Sequence, residues 1–397
     1  MNAKRAHGRL GSDEDGILKK LGRASAIGTA TNSRWRAVTG AVAVPVAIAL
    51  GSRLISLTLI AVAGRSGQWP MHSGEEGVLL AWDAQWFLSI AQHGYHADPL
   101  AVHAGGSFHD FAFFPLWPAL IGVGSLGGLL PAGVVQVVAA NLLFVGACVA
   151  VHSVLATRFP RTIAASATLL FAVAPPAYVG SLGYSEPLYV CLAALFFLPV
   201  FRQADRPWPR AAIAAAAQLT RLPGSALSLA AGFVALARRR VTPSVMVVAL
   251  SGPAAFAAWW LFVALLTANP LGYLEGSPSW YEGTPTATGV GALVQAIASP
   301  SAYSLVSVVF IAAMTVGAVA VWRIDAELGV YAVLSIIGTA LFASWESMPR
   351  HAWVAYPAFA GLASIGGRRW ALVLVGLFIV GQAVLVIGTL KWASFPP

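Results

Sequence analysis

Residues 81–95, AWDAQWFLSIAQHGY, place an aspartate between two tryptophans, soon after the first long hydrophobic run of the chain. The sequence around this stretch is unusually apolar: 58% of all residues are hydrophobic, 10% are charged, and the mean hydropathy is +0.75. Soluble domains carry about 25% charged residues, so the composition indicates a polytopic membrane protein. The stretch therefore raises the question of why so apolar a chain keeps Asp83 there.

The charge pattern favours a membrane protein over a nucleic-acid-binding one. The 397-residue chain has a formal net charge of +9, which in a soluble protein would suggest nucleic acid. Its basic residues instead lie in short clusters between apolar runs, as the positive-inside rule describes for cytoplasmic loops. We therefore expect membrane lipid, and no nucleic acid, as a partner. Cys148 and Cys191 lie inside apolar runs and are expected to be free thiols.

The chain begins with a polar, basic segment that leads into a hydrophobic run. Residues 1–36 predict a disordered cytoplasmic tail, and residues 37–61 are long enough for a span, which needs about 20 residues. The alternative is a cleaved signal peptide, but the basic region and the apolar core are both longer than is usual for one. The first span then leads outward, so residues 62–132 form an extracytoplasmic loop with an interfacial helix over 112–130.

Segment 211–237 predicts two short helices rather than one span. Basic residues flank both of its ends, so both ends favour the cytoplasm, and Arg221 lies near its middle. A helix of about 10 residues rises only about 15 Å, half a bilayer, so the pair forms a hairpin. The whole chain then predicts an all-α protein of about eleven membrane passes, with a second extracytoplasmic loop at 267–300. The other predicted spans are 133–157, 162–181, 186–201, 243–266, 302–321, 328–343, 351–366 and 369–391.

Four charged residues lie among aromatic or apolar neighbours on the predicted outer side. They are Asp83, Glu186, Arg221 and Arg350. Charges at membrane depth are costly and usually functional, although they can also form structural ion pairs that hold helices together. In the functional interpretation, a carboxylate takes a proton from an attacking hydroxyl while cations neutralise a phosphate leaving group.

Five sequence blocks spread over most of the chain carry a family resemblance. They are WDAQWFLSIAQHGY (82–95), AFFPLWP (112–118), YSEPLYV (184–190), LTRLPG (219–224) and MPRHAWVAYP (348–357). In this order they resemble the PIG-V family of mannosyltransferases, which add the second mannose to GPI anchors, and its bacterial relatives. The resemblance leaves out the tail and the loop 267–300.

The resemblance implies a GT-C fold over residues 37–397. Such a protein is a multi-pass glycosyltransferase, here of the plasma membrane, with its active site on the extracytoplasmic face. The resemblance further implies transfer of mannose, with inversion, from a polyprenyl-phosphate-mannose donor to a glycolipid or glycan acceptor, without a cofactor. The alternative from another functional class is a transporter or flippase of lipid-linked sugars, which also has broken helices and buried polar groups.

The resemblance also assigns roles to individual residues. It implies that Asp83 is the catalytic base and that Arg221 and Arg350 hold the donor phosphate. His351 stands where family members often have a tyrosine. The other residues expected to bind substrate are Glu186, Trp82, Trp86, Gln85, Asp110 and Arg53.

Several of these assignments have a structural alternative. Trp82 and Trp86 can anchor the loop at the membrane interface, and Arg53, inside the first span, can be a snorkelling or paired structural arginine. The sequence WDAQW lacks the D-x-D pair that metal-dependent sugar transferases often show, so no metal is expected. Asp110 could still join Asp83.

Overall fold

The structure is a computed structural model that describes residues 42–64, 77–101, 107–203, 205–276, 300–343 and 347–391, with a few positions between 291 and 298. The predicted tail, residues 1–36, and most of the predicted loop 267–300 lie outside the described residues. The described residues from Pro45 onward belong to one compact unit, and the contacts discussed below lie within it.

The described part of the chain is almost entirely helical, as the sequence predicts. One short antiparallel pair of strands, β1 Leu100–Ala101 and β2 Ser107–Phe108, is the exception among these residues. The helices are α1 Val42–Gly64, α2 Asp83–His93, α3 Leu116–Gly124, α4 Ala132–Ala156, α5 Arg161–Val173, α6 Glu186–Phe197, α7 Trp208–Gln218, α8 Ser225–Ala237, α9 Pro243–Leu266, α10 Gly272–Gly276, α11 Ala302–Trp322, α12 Ala326–Phe342, α13 Met348–Trp353 and α14 Pro357–Lys391.

Five of the described helices are long and apolar enough to cross a membrane: α1, α4, α9, α11 and the Arg369–Leu390 part of α14. A sixth results if α5 and the following 3-10 helix Pro175–Ser181, bent by 71°, count as one span. Each of these elements matches a span that hydropathy and charge predict. The chain is therefore a multi-pass membrane protein.

The remaining predicted passes are helices shorter than a bilayer. The spans predicted at 186–201 and 328–343 appear as α6, with 12 residues, and α12, with 17. At 1.5 Å per residue α6 rises only about 18 Å, against a hydrocarbon core of about 30 Å. Pro199 ends α6 because the residue before a proline is driven out of the helical region. The described helices therefore give five or six full crossings, fewer than the predicted eleven.

The span predicted at 351–366 is also divided. α13 stops at Trp353, and α14 begins at Pro357, where a proline can start a helix but cannot continue one. α14 then bends at Gly367, whose φ of 68° is a conformation that glycine adopts readily. This bend separates the segments predicted as the last two spans.

Segment 211–237 folds as the predicted pair of short helices. α7 and α8 are separated by residues 219–224, and Arg221 there is extended, with φ −158°. The side-chain oxygen of Gln218 accepts hydrogen bonds from the backbone N–H and the hydroxyl of Ser225, both at 2.7 Å. Gly224 lies so close to Gln218 that a Cβ on it would be 2.2 Å from that backbone. The break therefore holds Arg221 tightly between the two helices.

The segment predicted as the first extracytoplasmic loop, residues 62–132, contains a helix before the predicted interfacial one. α2 begins at Asp83 and buries Ala84, Phe87, Leu88 and Ile90. These apolar residues recur at helical spacing, but the polar residues around them lower the hydropathy of the segment, so a hydropathy pattern does not predict the helix. Asp83 is thus fixed to the first turn of a packed helix and does not belong to a loop.

Three loops predicted to be cytoplasmic meet at one end of the helices. We call the charged residues there the basal ion cluster; they are Arg158, Arg202, Arg210, Asp325 and Glu327. Arg158 pairs with Asp325, and Glu327 pairs with both Arg202 and Arg210. The cluster lies at the far ends of α6 and α7 from Glu186 and Arg221. Since α6 rises about 18 Å, the two charged ends of this part of the fold are only about that far apart.

Candidate active site

The four charged residues singled out from the sequence meet in one cluster. Nη1 of Arg350 lies 2.5 Å from Oδ2 of Asp83 and 3.6 Å from Oε1 of Glu186. The same Glu186 oxygen lies 2.9 Å from Nη1 of Arg221. Asp83 begins α2, Glu186 begins α6, Arg221 lies in the α7–α8 break, and Arg350 lies in α13. We call this set the outer ion cluster.

Exposure falls steadily across the outer ion cluster. The side chain of Asp83 is 15% exposed, those of Arg350 and Arg221 are 9% and 8% exposed, and that of Glu186 is fully buried. Among these four side chains, Asp83 is therefore the most accessible to solvent and Glu186 the least. Oδ2 of Asp83 accepts a hydrogen bond from Nη1 of Arg350. Oδ1 has no hydrogen-bond partner among the described residues, so it can accept a proton from an incoming group.

The two carboxylates keep Arg350 charged in a buried place. Burial alone would lower the pKa of this guanidinium group, but the charges of Asp83 and Glu186 together outweigh it and leave the pKa above its ordinary value. With two acids and two arginines, the outer ion cluster is electrically balanced. Removing one partner would leave an uncompensated buried charge, which is costly.

His351 lies against Arg221 as a neutral ring. Nη2 of Arg221 is 3.1 Å from Nδ1 of His351, and its Nη1 donates to Oγ of Ser185 at 3.1 Å. Burial, together with the charges of Arg221 and Arg350, lowers the pKa of His351 well below its ordinary value. Since a neutral imidazole has one donor and one acceptor, we assign Nδ1 as the acceptor and the proton to Nε2. His351 can therefore donate a hydrogen bond but brings no charge.

Gln136, on α4, joins the two segments that carry the carboxylates. Its fully buried Nε2 donates to the carbonyl oxygens of Ala84, at 2.8 Å, and Gly183, at 2.6 Å. Ala84 follows the base candidate on α2, and Gly183 lies three residues before Glu186. A Cβ on Gly183 would be 2.6 Å from Nε2 of Gln136, so only glycine allows this approach. One side chain thus fixes the spacing of the two acids.

The residue before Asp83, Trp82, has a strained backbone conformation. Its φ of 59° and ψ of −126° lie where residues other than glycine are rarely found. Strain of this kind costs of the order of 1–3 kcal/mol and concentrates at functional sites. Trp82 directly precedes α2, so its conformation sets the direction in which the helix begins, with Asp83 in contact with Arg350.

The other residues predicted around α2 lie beside the outer ion cluster. The ring of Trp86 stacks on Phe113, with centroids 6.0 Å apart. Gln85 is half-buried on the first turn of α2, where its backbone N–H donates to the carbonyl of Trp82. These contacts fit interfacial packing, and the predicted role of these residues in binding substrate stays a prediction.

Asp110 and Arg53 have partners of their own. Asp110 is 1% exposed and accepts hydrogen bonds from the backbone and the ring of His96, the latter at 2.8 Å. Arg53 donates to Ser181 and to the carbonyl of Ala177, both at 2.9 Å. Its guanidinium carbon also lies 3.5 Å from the ring centroid of Phe144. These are the contacts expected of the structural alternative for Arg53, which fastens α1 to the Pro175–Ser181 turn.

Sequence reasoning missed three residues that complete the outer ion cluster. Gln136 could have been found from the sequence, because an amide inside an apolar span needs a hydrogen-bond partner and therefore indicates a buried polar contact. Ser185 and Ser347, which receive hydrogen bonds from Arg221 and Arg350, carry no such signal, since serines are common at helix starts.

Comparison with known proteins locates the family resemblance. Residues 71–206 match the family described as Mannosyltransferase (PIG-V). GPI alpha-1,6-mannosyltransferase 2 of Mus musculus is 38% identical over 144 residues, 34% of this chain and 27% of that protein. GPI mannosyltransferase 2 of Cryptococcus neoformans is 28% identical over 171 residues, 38% of this chain and 37% of that protein. The chain thus matches only about a quarter to a third of the length of these relatives.

Two solved structures resemble the fold as a whole. ArnT from Cupriavidus metallidurans, bound to undecaprenyl phosphate, has a TM-score of 0.53 at 18% identity, over 86% of this chain and 63% of that one. The Archaeoglobus fulgidus oligosaccharyltransferase, in complex with zinc and sulfate, has a TM-score of 0.50 at 14% identity, over 88% and 54%. The predicted resemblance is confirmed: residues 71–206, which hold Asp83 and Glu186, match the PIG-V mannosyltransferase family, and the fold is similar to that of the GT-C enzyme ArnT.

Proposed function

We propose that this protein transfers mannose from a polyprenyl-phosphate-mannose donor to a hydroxyl of a lipid-linked or glycan acceptor, on the extracytoplasmic face and with inversion. The observation that carries this proposal is the outer ion cluster. A partly exposed carboxylate lies there beside two buried arginines, in a chain whose residues 71–206 match a mannosyltransferase family. ArnT, the structural neighbour, was solved with a polyprenyl phosphate, and this supports a donor of that class.

In the proposed reaction, Asp83 acts as the general base. Its carboxylate takes the proton of the acceptor hydroxyl while that oxygen attacks the anomeric carbon of the donor. The bond from this carbon to the phosphate oxygen breaks on the opposite face, and the polyprenyl phosphate leaves with the electron pair. Arg221 and Arg350 neutralise the charge that grows on the leaving group. One displacement of this kind inverts the anomeric centre.

Both arginines keep donor groups for the phosphate although each already meets a carboxylate. Arg221 and Arg350 contact Glu186 and Asp83 through their Nη1 atoms. A guanidinium group has five N–H bonds, and the Nε of each arginine is buried without a hydrogen-bond partner among the described residues. The phosphate therefore need not displace either carboxylate to be bound.

We further propose that the N-terminus is cytoplasmic and that the outer ion cluster opens to the other side of the plasma membrane. The basal ion cluster gathers arginines from two connections that the positive-inside rule places in the cytoplasm, and they pair with Asp325 and Glu327 of a third. Among the eleven predicted passes, those at α6, α7, α8 and α12 are helices of 12, 11, 13 and 17 residues, and in this proposal they reach only part of the way through the bilayer.

A direct assay tests the reaction. Membranes that contain the protein are given labelled polyprenyl-phosphate-mannose and a lipid extract of the native host, and products are identified by mass spectrometry. We expect a mannosylated lipid or glycan, absent from membranes with the Asp83→Asn variant. Movement of intact donor across sealed vesicles, without transfer of the sugar, would instead establish the transporter alternative.

The orientation predicts a labelling pattern in intact cells. In a chain carrying Cys148→Ala and Cys191→Ala, single cysteines replace the exposed residues Gln92, on α2, and Arg206, beside the basal ion cluster. An impermeant thiol reagent added outside should label position 92 and not position 206, and both after the membrane is opened. External labelling at position 206 would reverse the topology and place the outer ion cluster on the wrong face.

Gln136→Leu is expected to reduce transfer far more than it reduces stability. The change removes two hydrogen bonds, each worth about 1 kcal/mol, and frees α2 to shift relative to Glu186. A displacement of about 1 Å can lower a rate 10²-fold. Transfer per folded molecule, with the melting temperature measured on the same sample, reports both effects.

Gln382→Leu is the matched control for this variant. Gln382 is also a buried amide in a long helix, and it bonds Ala174 and Ser56 away from the outer ion cluster. It should lose similar stability and keep normal transfer per folded molecule. Equal losses of transfer in the two variants would remove Gln136 from the positioning of the acids.

A further inference from the structure

Tyr184 is a buried hydroxyl group in the wall of the outer ion cluster. It lies between Gly183 and Ser185, its side chain is fully buried, and its Oη has no hydrogen-bond partner among the described residues. The guanidinium carbon of Arg350 lies 5.3 Å from the centroid of its ring. The ring therefore supports the arginine that meets Asp83.

Other buried tyrosines of the core show that such a hydroxyl is usually satisfied. Tyr178 bonds a threonine hydroxyl at 2.7 Å, and Tyr189 and Tyr331 donate to backbone carbonyls at 3.0 and 2.9 Å. Tyr356, between α13 and α14, is also buried without a hydrogen-bond partner among the described residues, and the charges that act on it are those of Arg158, Asp325 and Glu327 in the basal ion cluster. A buried polar group without a partner is destabilising, and at the outer ion cluster an entering ligand can supply the partner that the Tyr184 hydroxyl lacks.

Three hydrogen-bond donors near Arg350 are buried without a hydrogen-bond partner among the described residues, as are the carboxylate oxygens of Glu186. The three donors are the O–H of Tyr184 and the Nε–H groups of Arg221 and Arg350. The two arginines are neighbours, because both approach the same oxygen of Glu186, at 2.9 and 3.6 Å. A phosphate group carries several oxyanion acceptors, so it can accept hydrogen bonds from all three donors, and those from the two arginines are charge-assisted.

We propose that Tyr184 donates its hydroxyl proton in a hydrogen bond to the phosphate of the polyprenyl-phosphate donor, beside the Nε–H groups of Arg221 and Arg350. This inference rests on the proposed function and adds a residue for the phosphate. The hydroxyl brings a hydrogen bond without a charge, so the outer ion cluster stays balanced before the donor enters. The bond strengthens as negative charge collects on the leaving phosphate.

Tyr184→Phe tests this role, with Tyr356→Phe as the matched control. Both substitutions delete an unpartnered buried hydroxyl and keep the ring, so neither should lower the melting temperature. The probe is undecaprenyl phosphate without a sugar, and its binding to the purified protein in detergent is measured directly. A hydrogen bond to a charged group corresponds to about 10- to 100-fold in affinity, so Tyr184→Phe should bind the probe that much more weakly, and Tyr356→Phe as well as the wild type.

The outcomes separate this inference from the proposed function. Weaker binding of the sugar-free probe by Tyr184→Phe, at unchanged stability, supports the contact with phosphate. If the wild type binds the probe well and Tyr184→Phe binds it equally well, the contact with phosphate is overturned. This holds even if transfer of mannose falls, because the hydroxyl would then contact the sugar or the acceptor. Failure of the wild type to bind the probe would contradict the polyprenyl-phosphate donor itself, and this contact with it.

Discussion

Asp83→Asn should lower mannosyl transfer by about 10²- to 10⁴-fold, the usual contribution of a general base, while the protein stays folded and still binds donor. Asparagine keeps the size of the side chain and can still accept a hydrogen bond from Arg350, but it cannot take up the acceptor's proton. In this variant Glu186 still lies 3.6 Å from Nη1 of Arg350, so the positive charge of Arg350 keeps one carboxylate beside it. Transfer and thermal stability are measured on one purified sample, with donor binding as a third readout.

Asp325→Asn is the matched control for this substitution. Asp325 is also an aspartate paired with an arginine, Arg158, and both of these side chains are 18% exposed, close to the 15% of Asp83. It lies in the basal ion cluster, where it also caps the start of α12. The control should lose stability and keep its transfer per folded molecule.

Three interpretations of Asp83 give three different results. A base gives a large loss of transfer at near-normal stability. If Asp83 is only a structural partner of Arg350, Asp83→Asn lowers stability, and total transfer falls only in proportion to the amount of folded protein. Asp325→Asn shows how large such a loss is for an ion pair outside the outer ion cluster. Near-normal transfer by a well-folded Asp83→Asn protein would remove Asp83 from the mechanism and make Glu186 the next candidate for the base.

Arg350→Ala should be the most damaging change in the outer ion cluster. It removes the arginine that pairs with Asp83 and leaves Glu186 with Arg221 alone, and breaking a buried ion pair by removing one partner costs about 3–5 kcal/mol. The substitution therefore affects stability as well as the binding of the donor phosphate that the resemblance implies for Arg350. We expect a lower melting temperature, and transfer reduced beyond the fall in folded protein.

Arg350→Lys separates the two effects of losing Arg350. Lysine keeps the positive charge between the carboxylates, so stability should largely return, but it lacks the planar fork that matches phosphate. We expect a stable protein with a raised KM for donor. Arg323→Ala, which removes an exposed arginine, should leave both quantities unchanged. Normal donor use by the lysine variant would reduce Arg350 to a structural partner of the acids.

Hydropathy and charge counts were sufficient for the broad class of this protein. The long spans at α1, α4, α9 and α11 each form an unbroken apolar run, and such a run determines a crossing by itself because lipid leaves no other partner for its backbone. The hairpin at Arg221 was also predictable, since bases flank both ends of a segment too short to cross twice as full spans. These features depend only on neighbours along the chain.

Local patterns failed where apolar residues continue past a helix end. α6 stops before Pro199 although the hydrophobic run goes on, and a hydropathy window therefore predicts a full span where there is a half-depth helix. The start of α2 at Asp83 was missed for the opposite reason: its apolar face is diluted by polar neighbours.

Hydropathy and the placement of charges along the chain were enough to predict a multi-pass membrane protein with Asp83, Glu186, Arg221 and Arg350 as its unusual charges. That Arg350 meets both acids, across as many as 267 positions of sequence, became evident from the folded chain alone. The folded chain also shows that Gln136 spaces those acids and that a tyrosine hydroxyl remains unpartnered beside them. The physical reason is that the membrane environment acts on each segment's hydropathy separately, whereas hydrogen bonds and ion pairs depend on which distant segments pack together.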